Sequence, residues 1–382
     1  MSQLSYMDKL LDGVEVEWKE LGNSITFQRG KRLVKSQLKE SGEYAVFQNS
    51  MTPLGYYHES NVSAKSAFVI CAGAAGEIGF SDDSFWAADD VYYAEQSEFL
   101  NSKYLYHFLL TQKHKIASQV RRASIPRLSK SAIEKLIVPI PCPDNPEKSL
   151  AIQAEIVRIL DAFTAMTAEL TAELTAELNL RKKQYNYYRE KLLASELPSS
   201  KTATLGEIID MRAGKHIKAK DISAIKNTEH KYTCFGGNGS RGFVQQYSHE
   251  GDYALIGRQG ALCGNVKRAK GKFYATEHAV VCTPKEEIDI DWAFHMLTFM
   301  NLNQYKSQSA QPGLAVGNLA NLTIIVPPIS EQKKIAKILN QFDTLTTSLQ
   351  EGLPHEIELR QKQYEYYRDL LLSFPKSNEE EA

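Results

Sequence analysis

Several features are scarce in this 382-residue sequence, and each absence excludes a class of protein. No uncharged apolar run reaches the roughly 18 residues that a transmembrane helix requires, so no such helix is expected. Residues 1–12 contain no apolar core followed by small residues, so they do not resemble a secretory signal, and we expect a cytoplasmic protein. The five cysteines form no CxxC pair, which argues against disulfide frameworks and zinc knuckles and predicts buried thiols.

Net charge is close to zero, because 45 lysines and arginines oppose 46 aspartates and glutamates. The charge is unevenly distributed, however, and residues 198–330 carry 15 basic and 11 acidic side chains. A total averages regions of opposite sign, so a sum near zero does not exclude a nucleic-acid partner.

The sequence contains an internal duplication. Leu180–Leu193 and Leu359–Leu372 are identical at ten of 14 positions, and the same offset of 179 aligns Gln153 with Gln332. A constant offset over some 40 residues predicts an ungapped helix in each copy. Weaker matches upstream, such as Gly30-Lys31 with Gly214-Lys215, recur at drifting offsets of 184 to 188. Drifting offsets indicate loops of different length in a shared fold.

The pattern predicts a mixed α/β (α+β) protein with two globular halves and two long antiparallel coiled-coil helices, arranged as a pseudo-two-fold duplication. A heptad seam is predicted along the first helix, with a similar seam in the second copy. Gly352-Leu353-Pro354 interrupts the second copy only, which predicts a kink or break there. The first seam consists of Ile152, Ile156, Ile159, Phe163, Met166 and Leu170, and the second of Ile335, Ile338, Phe342, Leu345 and Leu349. The predicted domains are residues 1–148 and 198–329 for recognition, 149–197 and 330–374 for the helices, and 375–382 for an acidic tail.

A low-complexity tract lies inside the first helix, where Thr-Ala-Glu-Leu repeats three times from Thr167 to Leu178. One interpretation is replication slippage in a tolerant surface helix. The other is a ruler, because one unit adds about 6 Å of helix and about 40° of phase. A base pair of B-DNA advances about 3.4 Å and turns by about 36°, so the phases match.

Basic windows without acidic residues occur in both halves, at residues 21–39, 99–133, 211–220 and 253–276. One such window is commonly a solvated surface, but two per half, accompanied by glutamine and asparagine, favour a phosphate-binding surface. Bidentate side chains among them could read base edges. In the first half the candidates are Arg29, Lys31, Arg32, Lys35, Gln48, Asn49, Gly73, Gly76, Lys113, Lys115, Arg121, Arg122 and Arg127. In the second half they are Arg212, Lys215, Lys218, Lys220, Asn238, Ser240, Arg241, Arg258, Gln259, Lys267 and Arg268.

Glycine motifs also occur in both halves. Gly73–Gly76 and Gly257–Gly260 lie at corresponding positions, which predicts a tight turn or a close approach of the backbone to DNA. Phe235–Gly239 fits the FxGxG of S-adenosylmethionine sites, and Gly237–Gly242 fits GxGxxG. Such cradles need a helix after the strand, whereas Phe243–Tyr247 has a strand pattern, so we favour a recognition turn.

The rest of the sequence also contains no known catalytic signature. The sequence has no HExxH, GxSxG or Walker motif and no Asn/Asp-Pro-Pro-aromatic motif for amino methylation. We therefore expect no catalytic residues and no metal site in this chain.

The alternation of two variable halves with two repeated helices resembles the specificity subunit of type I restriction-modification enzymes. The resemblance covers essentially the whole chain. It is strongest at the duplicated segments around Arg181 and Arg360 and at Glu331-Gln332, which follows Pro327-Pro328 and begins the second helix. The first copy departs from that helix start, with Leu150–Gln153 in its place.

This resemblance implies a non-catalytic, sequence-specific reader of double-stranded DNA. Each half would bind one part of a bipartite target, and the helices would set the gap. Two modification subunits would dock on the two equivalent faces to form an adenine N6-methyltransferase, and restriction subunits would add ATP-dependent translocation and cleavage. S-adenosylmethionine, ATP and magnesium would belong to those partners, with no cofactor and no membrane contact in this chain.

Two other classes remain open. A coiled-coil assembly scaffold with two ligand-binding heads predicts no salt-dependent DNA affinity, whereas a DNA reader predicts affinity that falls steeply with salt. A self-sufficient methyltransferase predicts that the chain alone binds S-adenosylmethionine.

Overall fold

The computed structural model describes residues 10–11, 13–308, 312–348 and 351–374. The chain divides into two compact units, one formed by Met1–Ala172 with Glu358–Ala382 and the other by Glu173–Ile357. The predicted acidic tail, residues 375–382, lies outside the described residues. The predicted domain boundaries stay a prediction, while each compact unit joins a globular half to parts of both repeated helices.

The first unit is a mixed structure of short strands and helices. Its strands are β1 (Val16–Glu20), β2 (Phe27–Arg29), β3 (Tyr44–Phe47), β4 (Gly55–Tyr57), β5 (Ser66–Ile70), β6 (Ile78–Ser81), β7 (Phe85–Ala87), β8 (Val91–Ala94) and β9 (Ile137–Pro141). Its helices are α1 (Ser102–Thr111), α2 (Lys113–Ser118), α3 (Lys130–Glu134) and the beginning of α4 (Pro146–Ala194). Helix α4 starts three residues before the predicted Ser149, with the proline at the first helical position, where its missing N–H costs nothing.

The second unit repeats this plan. Its strands are β10 (Lys201–Thr204), β11 (Ile209–Ala213), β12 (Tyr232–Gly236), β13 (Gly239–Val244), β14 (His249–Gly257), β15 (Val266–Ala275), β16 (Ala279–Pro284) and β17 (Thr323–Val326). Its helices are α5 (Leu205–Ile208), α6 (Ile290–Phe299), α7 (Val316–Ala320) and α8 (Ile329–Thr347), followed by α9 (Leu353–Leu371), which extends into the first unit's residues.

The sheets confirm the duplication strand by strand. The second unit has one six-stranded sheet in the order β11-β16-β14-β15-β12-β13, and β10 pairs with β17. The first unit has the same pairings distributed over two sheets, β2-β8-β5-β6 and β4-β3-β7, and β1 pairs with β9. The long strand β15 corresponds to β6 and β7 together, which are separated at Asp82–Ser84. This interruption splits the sheet of the first unit in two.

The predicted break in the second repeated helix is confirmed. Helix α8 ends at Thr347 and α9 begins at Leu353, whereas α4 is continuous. A Cβ atom on Gly352 would collide with the carbonyl oxygens of Thr344 and Leu345 at the end of α8. The first copy has Glu173 at the equivalent position, where the helix runs on.

Each core is built from the beginning of one helix copy and the end of the other. Ile152, Ile156 and Leu160 of α4 belong to the core of the first unit, together with Leu372 and Phe374 just after α9. The core of the second unit contains the equivalent elements in exchanged roles, namely Ile335 and Leu339 of α8 with Tyr185 and Leu193 of α4.

Contacts between helix ends follow the same exchange. In the first unit, Phe163 packs on Tyr367 with ring centroids 5.9 Å apart, and Thr164 donates a hydrogen bond to the Tyr364 hydroxyl at 3.0 Å. Residue numbers rise along one helix as they fall along the other, so the two copies run antiparallel there. The equivalent pair in the second unit, Phe342 and Tyr188, lies 5.7 Å apart.

The predicted heptad seam is only partly correct. The structure buries Leu160 and Leu339 completely, whereas the predicted seam residues Met166 and Ile338 are 65% and 39% exposed. Ile152, Ile156 and Leu160 are four residues apart and form a ridge that packs on the globular half. Periodicity identified an apolar face, but the face points into a domain core rather than along a helix seam. Leu349 lies outside the described residues.

A buried glutamine connects each repeated helix to its globular half. The Gln153 side chain is fully buried, accepts a hydrogen bond from the Asn101 backbone N–H at 2.8 Å and donates to the Phe99 carbonyl at 2.9 Å. Gln332 makes the equivalent bonds to Asp289 and Glu287 at 2.8 and 3.0 Å. Because a buried amide left without partners costs about 1–3 kcal/mol, these bonds specify how helix and half pack together.

The cysteines are free thiols, as the sequence predicts. Cys71, Cys234, Cys263 and Cys282 are buried and Cys142 is partly buried. Burial raises the pKa of Cys282 to about 12, so this thiol stays protonated and unreactive at neutral pH. Across the described ranges, no helix combines the length and apolar character needed to cross a membrane.

One buried histidine in each unit makes stability depend on pH. His295 Nε2 donates a 2.8 Å hydrogen bond to Asn340 Oδ1, with Asp343, Asp291 and Arg268 nearby. Burial lowers the pKa of His295 below its ordinary value of 6.5, and burial has the same effect on His107. A depressed pKa keeps the imidazole neutral in the folded state, so its contribution to stability is complete above pH 6.5 and is lost as the pH falls below it.

We expect His295→Asn to weaken the pH dependence of the unfolding free energy of the second unit. Denaturant titrations at about pH 7.5 and about pH 5.5 measure that dependence, with His58→Asn, at a well-exposed position, as the control. Equal pH dependence in the His295 variant and the unmodified chain would contradict the assignment, whatever the absolute stability of the variant.

Candidate nucleic-acid interface

The same four loops meet at the ends of the strands in each unit. In the first unit these edge loops are residues 30–32 after β2, 48–50 after β3, 71–74 after β5 and 88–90 before β8. In the second unit they are residues 214–216, 236–238, 258–261 and 276–278. Sheet topology therefore gathers segments that are up to 60 residues apart in sequence.

Backbone hydrogen bonds hold the edge loops together in the same way in both units. The Lys31 N–H donates to the Ala87 carbonyl at 2.9 Å, and the equivalent Lys215 N–H donates to Ala275 at 2.9 Å. The Cys71 N–H donates to Asp90 at 2.7 Å, and that of Arg258 donates to His278 at 2.9 Å. Because these bonds involve only the backbone, the side chains on the edge are free to differ between the units.

Glycines allow the close approach of two of these loops. A Cβ atom on Gly30 would collide with the carbonyl oxygens of Ala87 and Ala88, and one on Gly214 with those of Ala275 and Thr276. A larger residue at either position would push the lysine that follows away from the strand end.

The correspondence between the glycine turns differs from the predicted one by three residues. The Gly73 N–H donates to the Pro126 carbonyl at 3.2 Å, and Gly73 has a φ of +83°. The equivalent bond, to the Pro312 carbonyl at 2.9 Å, is made by Gly260 and not by Gly257, and Gly260 has a φ of +90°. Gly76, with φ +94°, is buried, and a Cβ there would contact Ile116. Gly76 therefore serves packing and cannot approach a ligand, which corrects its prediction as a DNA contact.

The edge loops bring together many of the predicted site residues. The exposed ones in the first unit are Lys31, Arg32 and Asn49, with Gln48 half-buried. In the second unit, Lys215, Asn238 and Gln259 are exposed and Arg258 is half-buried. Ser240 and Arg241 follow on strand β13, and Lys267 lies beside Gly239. Strand β13 covers only the first two residues of the predicted strand Phe243–Tyr247 and begins inside the glycine motif, so the motif runs into a strand rather than the helix that a cofactor cradle needs.

Other predicted residues lie away from these loops or are already paired. Lys113 pairs with Glu77 at 3.5 Å, and Arg212 pairs with Asp210 at 2.8 Å. Arg29 donates from Nε to the Asp89 carbonyl at 2.7 Å and so supports an edge loop. The rest lie on other segments: Lys35 on the 3-10 turn Lys35–Gln37, Lys115 on α2, Lys218 and Lys220 in the segment that follows Lys215, and Arg121, Arg122 and Arg127 between α2 and α3.

Arg268 is a structural residue. Its side chain is 13% exposed, and its guanidinium bonds both carboxylate oxygens of Asp252 at 2.6 and 2.7 Å and Asp291 at 2.8 Å. It also donates to the Ile290 carbonyl at 2.7 Å. These bonds join strand β14 to the first turn of α6, so Arg268 is not free to bind a phosphate, which corrects the prediction.

The edge of the second unit also carries an acidic side chain, which none of the sequence motifs indicates. Glu277 accepts a bond from His216 Nδ1 at 2.9 Å and lies 3.4 Å from His278 Nε2. Burial alone would raise the pKa of Glu277, but the bond with His216 and the adjacent charges outweigh it, so its pKa is lowered. Windows without acidic residues do not include Glu277 by definition, although carboxylates can accept hydrogen bonds from base amino groups. Among the described residues, no group of three or more His, Cys, Asp or Glu side chains could hold a metal ion.

The fold and the loops thus define a duplicated α/β protein with one edge of polar and charged loops in each unit. A family model described as type I restriction modification DNA specificity domain matches residues 13–180 and again residues 199–359. The chain is 46% identical over 378 residues to the type I restriction enzyme EcoprrI specificity subunit of Escherichia coli, covering 92% of this chain and 93% of the relative. It is 38% identical over 406 residues to the EcoR124I/EcoR124II specificity subunit of Escherichia coli, covering 98% of each. The chain therefore belongs to the type I restriction-modification specificity subunit family.

Solved structures share the fold. The chain matches one from work on complex assembly and conformational transition of the type I R-M system with a TM-score of 0.64, at 15% identity over 94% of this chain and 97% of that one. The S subunit from M. genitalium matches with a TM-score of 0.54 at 18% identity, over 96% of this chain and 98% of that one.

Proposed function

We propose that this chain is the sequence-specific DNA-binding subunit of a type I restriction-modification complex and that each unit reads one half of a bipartite target. One observation carries the proposal: the two edges share a backbone but differ in side chains. Cys71 occupies the position of Arg258, and Asp90 that of His278. A common frame with different donors and acceptors suits the reading of two different half-sites.

The chain itself is proposed to be non-catalytic, with two modification subunits and the restriction subunits as partners. S-adenosylmethionine, ATP and magnesium would be bound by those partners. A repeated helix face supports two copies of one partner: Leu180 and Tyr187 are 60% and 58% exposed, and their equivalents Leu359 and Tyr366 are 43% and 59% exposed. Exposed aromatic side chains are frequent interface anchors. Native mass measurement of the assembled complex should find two modification subunits per chain, and one copy would contradict this arrangement.

The decisive experiment for the function is single-molecule mapping of N6-methyladenine in host DNA. Deleting this chain should abolish methylation at one bipartite motif while the modification subunits are still expressed. Exchanging residues 14–148 for those of another family member should then change one half-site and leave the other intact. An unchanged map would contradict the proposal and favour the assembly scaffold, which predicts no salt-dependent DNA affinity.

A further inference from the structure

A seven-residue loop beside the edge of the first unit carries three arginines. This arginine loop, residues 121–127, is closed by two backbone hydrogen bonds between Arg121 and Arg127, at 2.8 and 3.1 Å. It is fixed to the glycine turn by the Gly73 N–H, which donates to Pro126 at 3.2 Å, and by the Leu128 N–H, which donates to Cys71 at 2.8 Å. The backbone alone therefore holds the loop against the edge.

No ion pair among the described residues accounts for the three arginine side chains of this loop. Arg121, Arg122 and Arg127 are all exposed, and within the part of the chain that the structure describes none of them pairs with a carboxylate. Three like charges within seven residues repel each other, and a nearby anion would relieve that repulsion.

The second unit repeats the ends of this loop, and the sequence between them carries no charge. There the Ser307 N–H donates to Gly313 at 2.9 Å, the Gly260 N–H to Pro312 at 2.9 Å and the Leu314 N–H to Arg258 at 2.9 Å. The sequence Ser307-Gln-Ser-Ala-Gln-Pro-Gly313 contains no charged residue. Three backbone anchoring bonds are thus shared by the two units although the charge differs, so this anchoring does not depend on arginine side chains.

We propose that the arginine loop binds the phosphate backbone of DNA beside the half-site read by the first unit, and that the second unit lacks this contact. This inference rests on the proposed function and adds to it that the first unit makes an ionic contact with the DNA backbone that the second unit does not make. Guanidinium groups bind phosphate oxygens through paired N–H donors, and a fixed loop presents them with little loss of freedom. Phosphate contacts hold the protein on DNA without reading bases, so the loop contributes affinity rather than sequence preference.

The test compares salt dependence in the full-length chain with Arg121→Gln, Arg122→Gln and Arg127→Gln combined. Binding is measured on a duplex with the mapped target and on an unrelated duplex of equal length, over a series of salt concentrations. Each phosphate contact contributes about 0.9 to the slope of log affinity against log salt, so we expect a slope shallower by about 2 to 3 on both duplexes. The ratio of the two affinities should not change.

Two further variants complete the design. Arginine-to-lysine substitution at the same three positions keeps the charge and should restore the slope. Lys148→Gln, Lys182→Gln and Lys183→Gln remove three exposed charges elsewhere and should change the slope by less than about 1. An unchanged slope in the arginine variant would overturn the loop assignment, and so would a changed affinity ratio, because it would mean that the loop reads bases. Absence of salt-dependent binding by the unmodified chain would instead overturn the proposed function itself.

Discussion

Replacing Leu372 and Phe374 with alanine together is expected to destabilise the first unit by at least about 5 kcal/mol. Both side chains are 5% exposed and belong to the core of that unit, although they lie more than 200 residues beyond its globular half. Truncating a buried leucine costs about 2–5 kcal/mol and a buried phenylalanine about 3–5 kcal/mol, through lost burial and residual cavity. A domain has a net stability of about 5–15 kcal/mol, so little would remain.

Hydrogen exchange resolved by peptide measures this effect in each unit separately. Strand β5 of the first unit should lose protection, while strand β14 of the second unit should keep it. The matched control is Leu359→Ala with Tyr366→Ala, which truncates two exposed side chains on the same helix. Equal loss of protection in both units would contradict the exchanged-core assignment, and so would unchanged protection of β5.

Removing one Thr-Ala-Glu-Leu unit from Thr167–Leu178 is expected to shorten the gap between the two half-sites by about one base pair. The deletion removes about 6 Å of helix and about 40° of phase, close to the rotation per base pair of B-DNA. Methylation at the original motif should therefore be lost, and a motif with the shorter gap should appear with both half-sites unchanged. Methylation mapping of cells that carry the variant measures both outcomes.

Substitution without deletion provides the control for the tract. Replacing Glu169 and Glu173, both exposed, with glutamine keeps the helix length and should leave the gap unchanged. An unchanged gap after the deletion would refute the ruler interpretation and favour slippage in a tolerant helix. Altered half-sites would refute it as well, because they would mean that the tract influences base reading.

The duplication and the fold class are confirmed because they depend on local sequence. An ungapped offset of 179 identifies the two copies of the helix, and Gly352 and Pro354 mark the break in the second copy only. The exchange of helix ends between the cores could not be predicted in the same way. Periodicity shows which helix face is apolar, but Leu160 and Met166 differ in burial because of contacts made far along the chain.

The sequence indicates residue types at the candidate interface but not their arrangement. Basic windows include Lys31 and Lys215, which the edge loops place at equivalent positions. They could not separate these lysines from Arg268, whose partners Asp252 and Asp291 precede and follow it by 16 and 23 residues. The number of charges within a window gives no information on ion pairs between neighbouring strands, because the sheet register determines which side chains meet.

The exchanged cores affect the order in which the protein folds during its synthesis. The globular half of the first unit leaves the ribosome early, but its core is incomplete until Leu372 and Phe374 have been translated. At about 5–20 residues per second, roughly 200 further residues take about 10–40 s, during which apolar surface of the nascent chain is exposed. A chain truncated before Leu372 lacks this part of the first unit's core. We therefore expect incomplete chains to be removed by proteolysis rather than to persist as readers of half a target.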